Sequence, residues 1–219
     1  LAGWRGYLQA DAASNYDELY RQQPETLEVA CWAHARRKFF DVAKAAEKNG
    51  QRVLAHEAVE CIGELFAIER AATDAGDDPE QRHARRQSQA PAILDKIRTW
   101  CDEKLGELLP KSPTAGAINY VLKNWGAFTR YLDDGRIAID NNAAERALRP
   151  ITLGRKNWLF AGSNRGGDAC AIAMSLIATA KAHGQDPLAY LTDVLARLPG
   201  SSSKDLEALL PMNWKPAKI

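Results

Sequence analysis

The sequence predicts an α/β (α+β) protein in which short strands near the N-terminal end are followed by a mostly helical chain. Three observations support this prediction. Residues 3–10 alternate aromatic or apolar side chains with polar ones, which is the period of a β-strand. From residue 32 onward, apolar residues recur at spacings of three and four, as on one face of an amphipathic helix. Segments 74–79 and 110–113, which are rich in turn-forming residues, interrupt this helical pattern.

The remaining elements are predicted in order along the chain. Residues 14–22 form a short helix, and residues 27–31 form a second strand or lead into the next helix. Long helices are predicted over residues 32–48, 53–75, 79–109 and 115–132. Residues 136–139 are a short strand or extended segment, and Asn142 opens a helix that Pro150 ends. Residues 154–160 are a loop or short strand, 162–167 a turn, and 168–183 and 187–198 the last helices.

The composition limits the class of protein. The chain has 219 residues, of which 46% are hydrophobic, so it can bury a sizeable core. Its formal net charge of +1 does not indicate a nucleic-acid-binding protein, so any DNA-binding hypothesis depends on local basic clusters. The 4 cysteines are widely spaced and form no C-x-x-C pair, which is typical of the reducing cytoplasm.

The ends and the apolar segments give further expectations. No run of about 18 apolar residues occurs, so the sequence predicts no membrane span. Residues 1–7 lack the apolar segment of a signal peptide. The predicted first strand begins almost at Leu1, and we therefore expect the natural chain to start upstream.

Asp11 is the first candidate site residue, because it directly follows the first predicted strand. A strand fixes the backbone of the residue after it, so a carboxylate there is well placed to hold a metal ion. The alternative is a turn residue, since D-A-A-S-N at positions 11–15 is an ordinary turn composition.

The segment D-N-N-A-A-E-R-A-L-R-P at 140–150 is the second candidate. Asn142 and Glu145 have the spacing of a capping box, and Glu145 and Arg149 can form an ion pair at i,i+4. Glu145 and Arg149 can therefore be explained by helix stability alone. In the functional alternative, Glu145 points from the first helical turn toward a metal ion held by Asp11.

The neighbours of Glu145 would then meet DNA phosphates. These neighbours are two asparagines and two arginines: Asn141, Asn142, Arg146 and Arg149. Asp140 is the weaker candidate ligand, since its position suits the turn before the helix.

Cys31 and His34 have the spacing of half a zinc site. A structural zinc ion needs a second pair, and His56 and Cys61 are not spaced as one. We therefore expect Cys31 and His34 to be buried at the start of a helix, packed beneath the active site.

Two basic clusters are candidates for DNA contact. Arg36, Arg37 and Lys38 form either a solvated helix face or a phosphate contact. Arg155 and Lys156 alternate with aromatic residues in the segment 153–160, a composition suited to the backbone and bases of distorted DNA. The alternative for this second segment is a core strand with buried aromatics and solvated cations.

Together these segments resemble the insertion sequence 66 transposase family. The matching strings are G-Y-L-Q-A-D at 6–11, C-W-A-H-A-R-R-K-F-F at 31–40, the segment 140–150, L-G-R-K-N-W-L-F-A-G-S at 153–163, S-L-I-A-T-A-K at 175–181 and D-P-L-A-Y-L at 186–191. The resemblance extends to about residue 198, and the longest strings are too specific to match by chance.

The resemblance implies an RNase H-like catalytic core that cuts and joins DNA with a D-D-E carboxylate triad. By position, Asp11 matches the second Asp and Glu145 the final Glu, and both would bind Mg²⁺ (or Mn²⁺). The first Asp would lie upstream of Leu1, so we expect the core to be partial and this chain alone to be inactive. Transposon-end and target DNA are the implied partners, and a homo-oligomer is the implied assembly.

The same resemblance divides the chain into four predicted parts. Residues 1–40 belong to the RNase H-like core and carry the second Asp, and residues 41–132 form a mainly helical insertion. Residues 133–198 contain the core helix with the catalytic Glu and a C-terminal helical region, and residues 199–219 are a peripheral tail. Two other hypotheses stay open, a catalytically inactive DNA-binding transposon remnant and a helical interaction module.

Overall fold

A computed structural model describes residues 3–12, 14–48, 50–158 and 161–216, without the side chains of residues 155, 157 and 158. The chain forms two compact units, Leu1–Ala143 and Ala144–Ile219. The described part is mostly helical and contains a small parallel sheet, which is consistent with the predicted α+β class. None of the described helices is both long and apolar enough to cross a membrane.

The described part of the first unit contains two strands, six complete α-helices and the start of another. The strands are β1 (Gly6–Gln9) and β2 (Thr26–Val29), joined through a 3₁₀ turn (Ser14–Tyr16) and helix α1 (Asp17–Gln22). The helices that follow are α2 (Trp32–Glu47), α3 (Leu54–Asp74), α4 (Pro79–Glu107), α5 (Pro113–Lys123) and α6 (Trp125–Thr129), which ends in a 3₁₀ turn (Arg130–Leu132).

Helix α7 (Asn142–Trp158) begins in the first unit and continues in the second. The second unit adds α8 (Asn164–Ala182), α9 (Pro187–Arg197), a 3₁₀ turn (Leu198–Gly200) and α10 (Leu206–Leu209). Its own buried cluster is small and consists of Ala180, Tyr190, Val194 and Leu209. The Tyr190 hydroxyl donates to the carbonyl of Leu209 at 2.8 Å and so fixes α9 to α10.

The two strands pair in parallel, with Gly6 opposite Thr26 and Gln9 opposite Val29. The pairing continues one residue further, because the amide of Ala10 donates to the carbonyl of Val29 at 3.0 Å. Both carboxyl ends therefore meet at one edge of the sheet, and the residues that follow the strands are brought to the same place.

Helices α2 to α6 enclose the core of the first unit. Trp32, fully buried at the start of α2, packs on Phe128 with ring centroids 4.7 Å apart. Its indole nitrogen donates to the Phe128 carbonyl at 2.9 Å, so the one polar atom of the ring is satisfied. Farther along α2, Phe39 meets Trp100 of α4 edge to face at 6.0 Å.

A buried arginine fixes the loop between α6 and α7 to the helical hairpin of α3 and α4. Arg86 of α4, only 1% exposed, forms a two-pronged ion pair with Glu69 of α3 at 2.7 and 2.8 Å. Its other terminal nitrogen donates to the carbonyls of Tyr131, Asp134 and Ile137. This terminal nitrogen has two N–H donors, so the three carbonyls share them and one N–H is bifurcated.

Several predicted boundaries are wrong. Residues 136–139 form a turn and bends and not a strand, since their carbonyls serve Arg86, Gln9 and Trp32 and no neighbouring strand. The predicted helix 115–132 is divided, because the side chain of Asn124 donates to the Tyr120 carbonyl and ends α5.

Pro150 does not end α7, which continues through it to Trp158. A proline inside a helix removes one backbone hydrogen bond but leaves those of the flanking turns, and α4 likewise contains Pro91. Residues 154–158 are therefore helical and form neither the predicted loop nor the predicted strand. The remainder of that prediction, residues 159 and 160, lies outside the described residues.

Candidate active site and basic pocket

Asp11 lies just beyond β1 at the carboxyl edge of the sheet. Its backbone carbonyl accepts a hydrogen bond from the Tyr120 hydroxyl of α5 at 2.6 Å, which fixes its position from the helical side. Among the residues that the structure describes, none donates a hydrogen bond to the half-buried Asp11 carboxylate. The fold therefore holds the backbone of Asp11 and leaves its carboxylate oxygens for other ligands.

Ala12, the residue after Asp11, has a left-handed backbone with φ of +54°. A residue with a Cβ adopts this conformation only when its surroundings enforce it. Ala12 packs against the buried core, and its neighbour Asp11 is held by Tyr120. The chain therefore turns sharply at the point where the candidate carboxylate leaves the strand.

The segment before α7 is held at the same edge of the sheet. The backbone amide of Trp32, which follows β2, donates to the Ile139 carbonyl at 3.1 Å. The Gln9 side chain of β1 donates to the carbonyl of Ala138 at 2.6 Å. The amide of Asn141 donates to the Cys31 sulfur at 3.4 Å. The residues at 138–141 thus lie across the carboxyl ends of both strands.

Asp140 stabilises the turn into α7, as its position predicts. Its two carboxylate oxygens accept from the amide nitrogen of Asn142 at 3.0 Å and from the Asn142 side chain at 2.7 Å. Both oxygens are therefore occupied within the turn.

Cys31 is fully buried between β2 and α2. Burial raises the pKa of its thiol, against the opposing effect of backbone N–H groups from Asn141 and His34. His34 is half-buried in the first turn of α2. Within the described ranges, no group of three or more histidine, cysteine, aspartate or glutamate side chains is arranged to hold a metal ion.

Tyr120 is a site residue that the sequence did not indicate. Burial raises the pKa of its phenol, and the nearby Cys31 and Asp11 raise it further, so Tyr120 stays a hydrogen-bond donor. The ammonium group of Lys38 lies 4.5 Å from the centre of the Tyr120 ring. Lys38 therefore belongs to the Asp11 side of α2. No local pattern marks Tyr120, because Asp11 is 109 positions away.

The other two residues of the first basic cluster line a separate pocket between α2 and α3. This basic pocket has a volume of about 500 Å³. Its polar and aromatic lining is Arg36, Arg37 and Phe40 from α2, Phe66 and Arg70 from α3, and Asn142 at the start of α7. Arg70 was not among the predicted DNA-binding residues, because it stands alone in the sequence of α3. Among the described residues, no acidic side chain lines the pocket.

The three arginines of the basic pocket differ from the rest of the first unit. Arg36, Arg37 and Arg70 form no ion pair or hydrogen bond with a residue in the described ranges. The other arginines of this unit each hold a carboxylate or a backbone carbonyl. The pocket thus collects the arginines of this unit that have no ion-pair or hydrogen-bond partner among the described residues.

The remaining predicted site residues lie on α7. Glu145 is exposed in the first turn, and Arg146, Arg149 and Lys156 are exposed further along the helix. These residues belong to the second unit, whereas Asp11, Asn141 and Asn142 belong to the first. The side chain of Arg155 lies outside the part of the chain that the structure describes.

Two family models match this chain, and both describe the same family. Residues 1–169 match the family "Transposase IS66 family", and residues 175–212 match the "IS66 C-terminal element". Three curated relatives from Sinorhizobium fredii carry the names "Uncharacterized protein" y4hP, y4qI and y4jD. They are 39%, 40% and 36% identical to this chain over 99–100% of its length.

The chain spans 41–43% of the length of these relatives. No solved structure matches it. The two family matches together include the Asp11 strand end, the 140–150 segment and the C-terminal helices. By these matches the chain belongs to the IS66 family of transposases.

Proposed function

We propose that this chain forms part of a D-D-E transposase, in which Asp11 and Glu145 are two of the three carboxylates that cut and join DNA at transposon ends. One observation carries the proposal. The fold fixes the backbone of Asp11 at the carboxyl ends of two parallel strands, the sheet edge that residues 138–141 also contact, and leaves its carboxylate unengaged by described residues. We further propose that β1 and β2 belong to an RNase H-like core.

The chemistry of the available ligand atoms fits Mg²⁺ or Mn²⁺. Asp11 offers carboxylate oxygens, and the Asn141 side-chain oxygen is buried with no hydrogen-bond partner among the described residues. Hard divalent cations prefer oxygen ligands of both kinds. Asp11 and Glu145 would hold such an ion, which would supply activation of the attacking hydroxyl group and charge stabilisation of the leaving oxygen of the phosphodiester.

The residues of the chain would position this chemistry. Tyr120 holds the Asp11 backbone, and Asp140 holds the amide and side chain of Asn142. These bonds fix the residue after β1 and the turn into α7. Glu145 follows one turn into α7 and is proposed as the second ligand. No serine or tyrosine nucleophile is needed, because water or a DNA 3′-hydroxyl attacks directly.

Exposed cations would neutralise the DNA backbone. Arg146, Arg149 and Lys156 are exposed on α7, and Arg155 is proposed to act with them. Arg36, Arg37, Lys38 and the asparagines Asn141 and Asn142 supply further proposed contacts from the first unit. We also propose that the protein acts as a homo-oligomer, since strand transfer joins two transposon ends to one target.

The central test uses the intact transposase that contains this chain. Asp11→Asn and Glu145→Gln should each reduce cleavage of a transposon end in Mg²⁺ to background and leave DNA binding intact, because each removes one metal-binding charge. Asp17→Asn, which changes an exposed acidic residue of α1, is the matched control and should cleave normally. Cleavage that persists in Asp11→Asn or Glu145→Gln would exclude that residue as an essential ligand.

An inactive DNA-binding remnant is the second candidate, because the arginines of the basic pocket and the exposed cations of α7 could bind DNA without a metal ion. The two candidates differ in one measurement. The intact wild-type protein cleaves its transposon ends in Mg²⁺ or Mn²⁺ if the D-D-E proposal holds, and binds without cleaving them if it is a remnant. The 219-residue chain alone should bind DNA without cleaving it under either candidate.

A further inference from the structure

The basic pocket between α2 and α3 carries an inference about how the helical hairpin takes part in DNA binding. We propose that this pocket holds backbone phosphates of DNA and that Arg70 of α3 is one of its phosphate ligands. The inference rests on the proposed function, since it names DNA as the source of the phosphate. It adds a binding residue from the hairpin of α3 and α4, which packs against α2, α5 and the 3₁₀ turn Arg130–Leu132.

The charge distribution supports an anion as the occupant. Three guanidinium groups converge on one cavity of about 500 Å³, a size within the usual range of ligand sites. They repel one another, and no carboxylate from the described part of the chain lines the pocket to offset that repulsion. A bound phosphate group would offset it, and arginine matches phosphate geometry with paired N–H donors.

The contrast with Lys38 defines which face of α2 this site uses. Lys38 follows Arg37 directly, yet its ammonium group lies over the Tyr120 ring on the Asp11 side. Arg36 and Arg37 line the pocket with Arg70 instead. The basic run at 36–38 therefore divides into a pocket side and an Asp11 side, and a DNA strand that contacts both would pass around α2.

Gly63 permits a test that leaves the arginines unchanged. It lies on the pocket wall within α3, and a Cβ added there meets no atom within 4 Å. Gly63→Glu places a carboxylate beside the guanidinium groups, and Gly63→Gln places a neutral side chain of the same size. Both replace a glycine inside a helix with a better helix former, so neither weakens α3.

The experiment measures binding of the full chain to a short mixed-sequence DNA duplex in EDTA, at several salt concentrations. The slope of log K against log salt is negative, and each lost phosphate contact should reduce its magnitude by about 0.9. We expect that decrease for Arg70→Gln and Gly63→Glu. Arg52→Gln, which removes an equal charge from an arginine already paired with Glu60, should keep the wild-type slope. Gly63→Gln should also keep it.

Three results would overturn the inference. Equal slopes for Arg70→Gln and Arg52→Gln would show that only overall charge matters. Equal slopes for the two Gly63 variants would show that the pocket holds no anion. Competition by inorganic phosphate that depends on Arg70, together with no Arg70 dependence of DNA binding, would assign the pocket to a free anion.

These measurements contain no divalent metal, so they are independent of the test of Asp11 and Glu145. An Arg70-dependent slope with undiminished cleavage in Asp11→Asn would support the pocket and reject the proposed D-D-E role of Asp11. Cleavage that requires Asp11 and Glu145, together with a salt dependence of DNA binding that does not depend on Arg70, would support the D-D-E role and reject the pocket as a phosphate site.

Discussion

Helix α3 presents opposite charge environments on its two sides. On the α4 side, Glu69 binds both Arg82 and Arg86, and Arg86 also holds three backbone carbonyls. On the α2 side, the next residue, Arg70, meets Arg36 and Arg37 around a pocket without a carboxylate. Neighbouring residues of one helix thus serve two purposes. Paired charge on one side fixes the loop that leads to α7, and unpaired charge on the other is kept for a ligand.

The largest expected effect breaks the paired side. Arg86→Met should lower the free energy of unfolding by about 3–5 kcal/mol, because it leaves Glu69, one buried carbonyl and two part-buried carbonyls short of donors. Urea denaturation of the purified chain measures this. The matched control is Arg98→Met, which removes a half-exposed i,i+4 pair with Asp102 and should cost less than about 1 kcal/mol.

Equal losses for Arg86→Met and Arg98→Met would mean that the Arg86 network contributes no more than a surface pair. The two sides of α3 would then not differ in the way proposed. Arg86 does not line the basic pocket, so Arg86→Met should still bind DNA at a temperature where it remains folded. A loss of DNA binding under that condition would also contradict the separation between a structural side and a DNA-binding side of α3.

A second prediction concerns the effect of acid on the ion pairs of the α4 side. The hydrogen bond from Arg85 lowers the pKa of Asp77, which precedes α4. Hydrogen bonds from Arg136 lower the pKa of Asp134, in the loop held by Arg86, to about 2. A carboxyl group with a lowered folded pKa stabilises the fold above its unfolded pKa, about 3.9, and loses that contribution as pH falls through the folded value.

Stability should therefore hold above about pH 4 and decline toward pH 2. Thermal unfolding of wild type and of the Asp77→Asn, Asp134→Asn double variant measures this across that window. The double variant should unfold at a lower temperature at neutral pH, and the difference should narrow as the wild-type carboxylates become protonated. A difference that stays constant down to pH 2 would contradict the assigned ion pairs.

Much of this arrangement was predictable from local pattern. The helical periodicity located α2, α3 and α4 within a few residues, and the alternation at 3–10 located β1. The position of Asp11 after a strand was predicted correctly for the same reason. The interruption at 74–79 correctly separated α3 from α4.

What could not be predicted depends on contacts between distant elements. Glu69 and Arg70 are adjacent, and nothing local indicates that one is neutralised by α4 while the other faces two arginines of α2. That difference depends on how α3 is rotated between its two neighbours. Similarly, Pro150 favours a helix end by its own chemistry, and only the structure shows that α7 continues through it.

The smallest expected effect tests the unpaired side of α3. Arg70→Gln should leave the free energy of unfolding unchanged or raise it by up to about 0.5 kcal/mol at low salt, because it relieves repulsion among three cations and breaks no ion pair. Salt should remove any gain by screening the same repulsion. Urea denaturation in low and high salt provides the measurement.

The sign of this effect separates a binding residue from a structural one. Replacing a structural arginine destabilises the protein, as expected for Arg86. A residue kept for a ligand instead carries an unfavourable charge in the free protein. DNA should reverse the order, so that wild type gains more thermal stability than Arg70→Gln when the duplex is added. If Arg70→Gln were destabilised as strongly as Arg86→Met, Arg70 would belong to the scaffold, and the two sides of α3 would be alike.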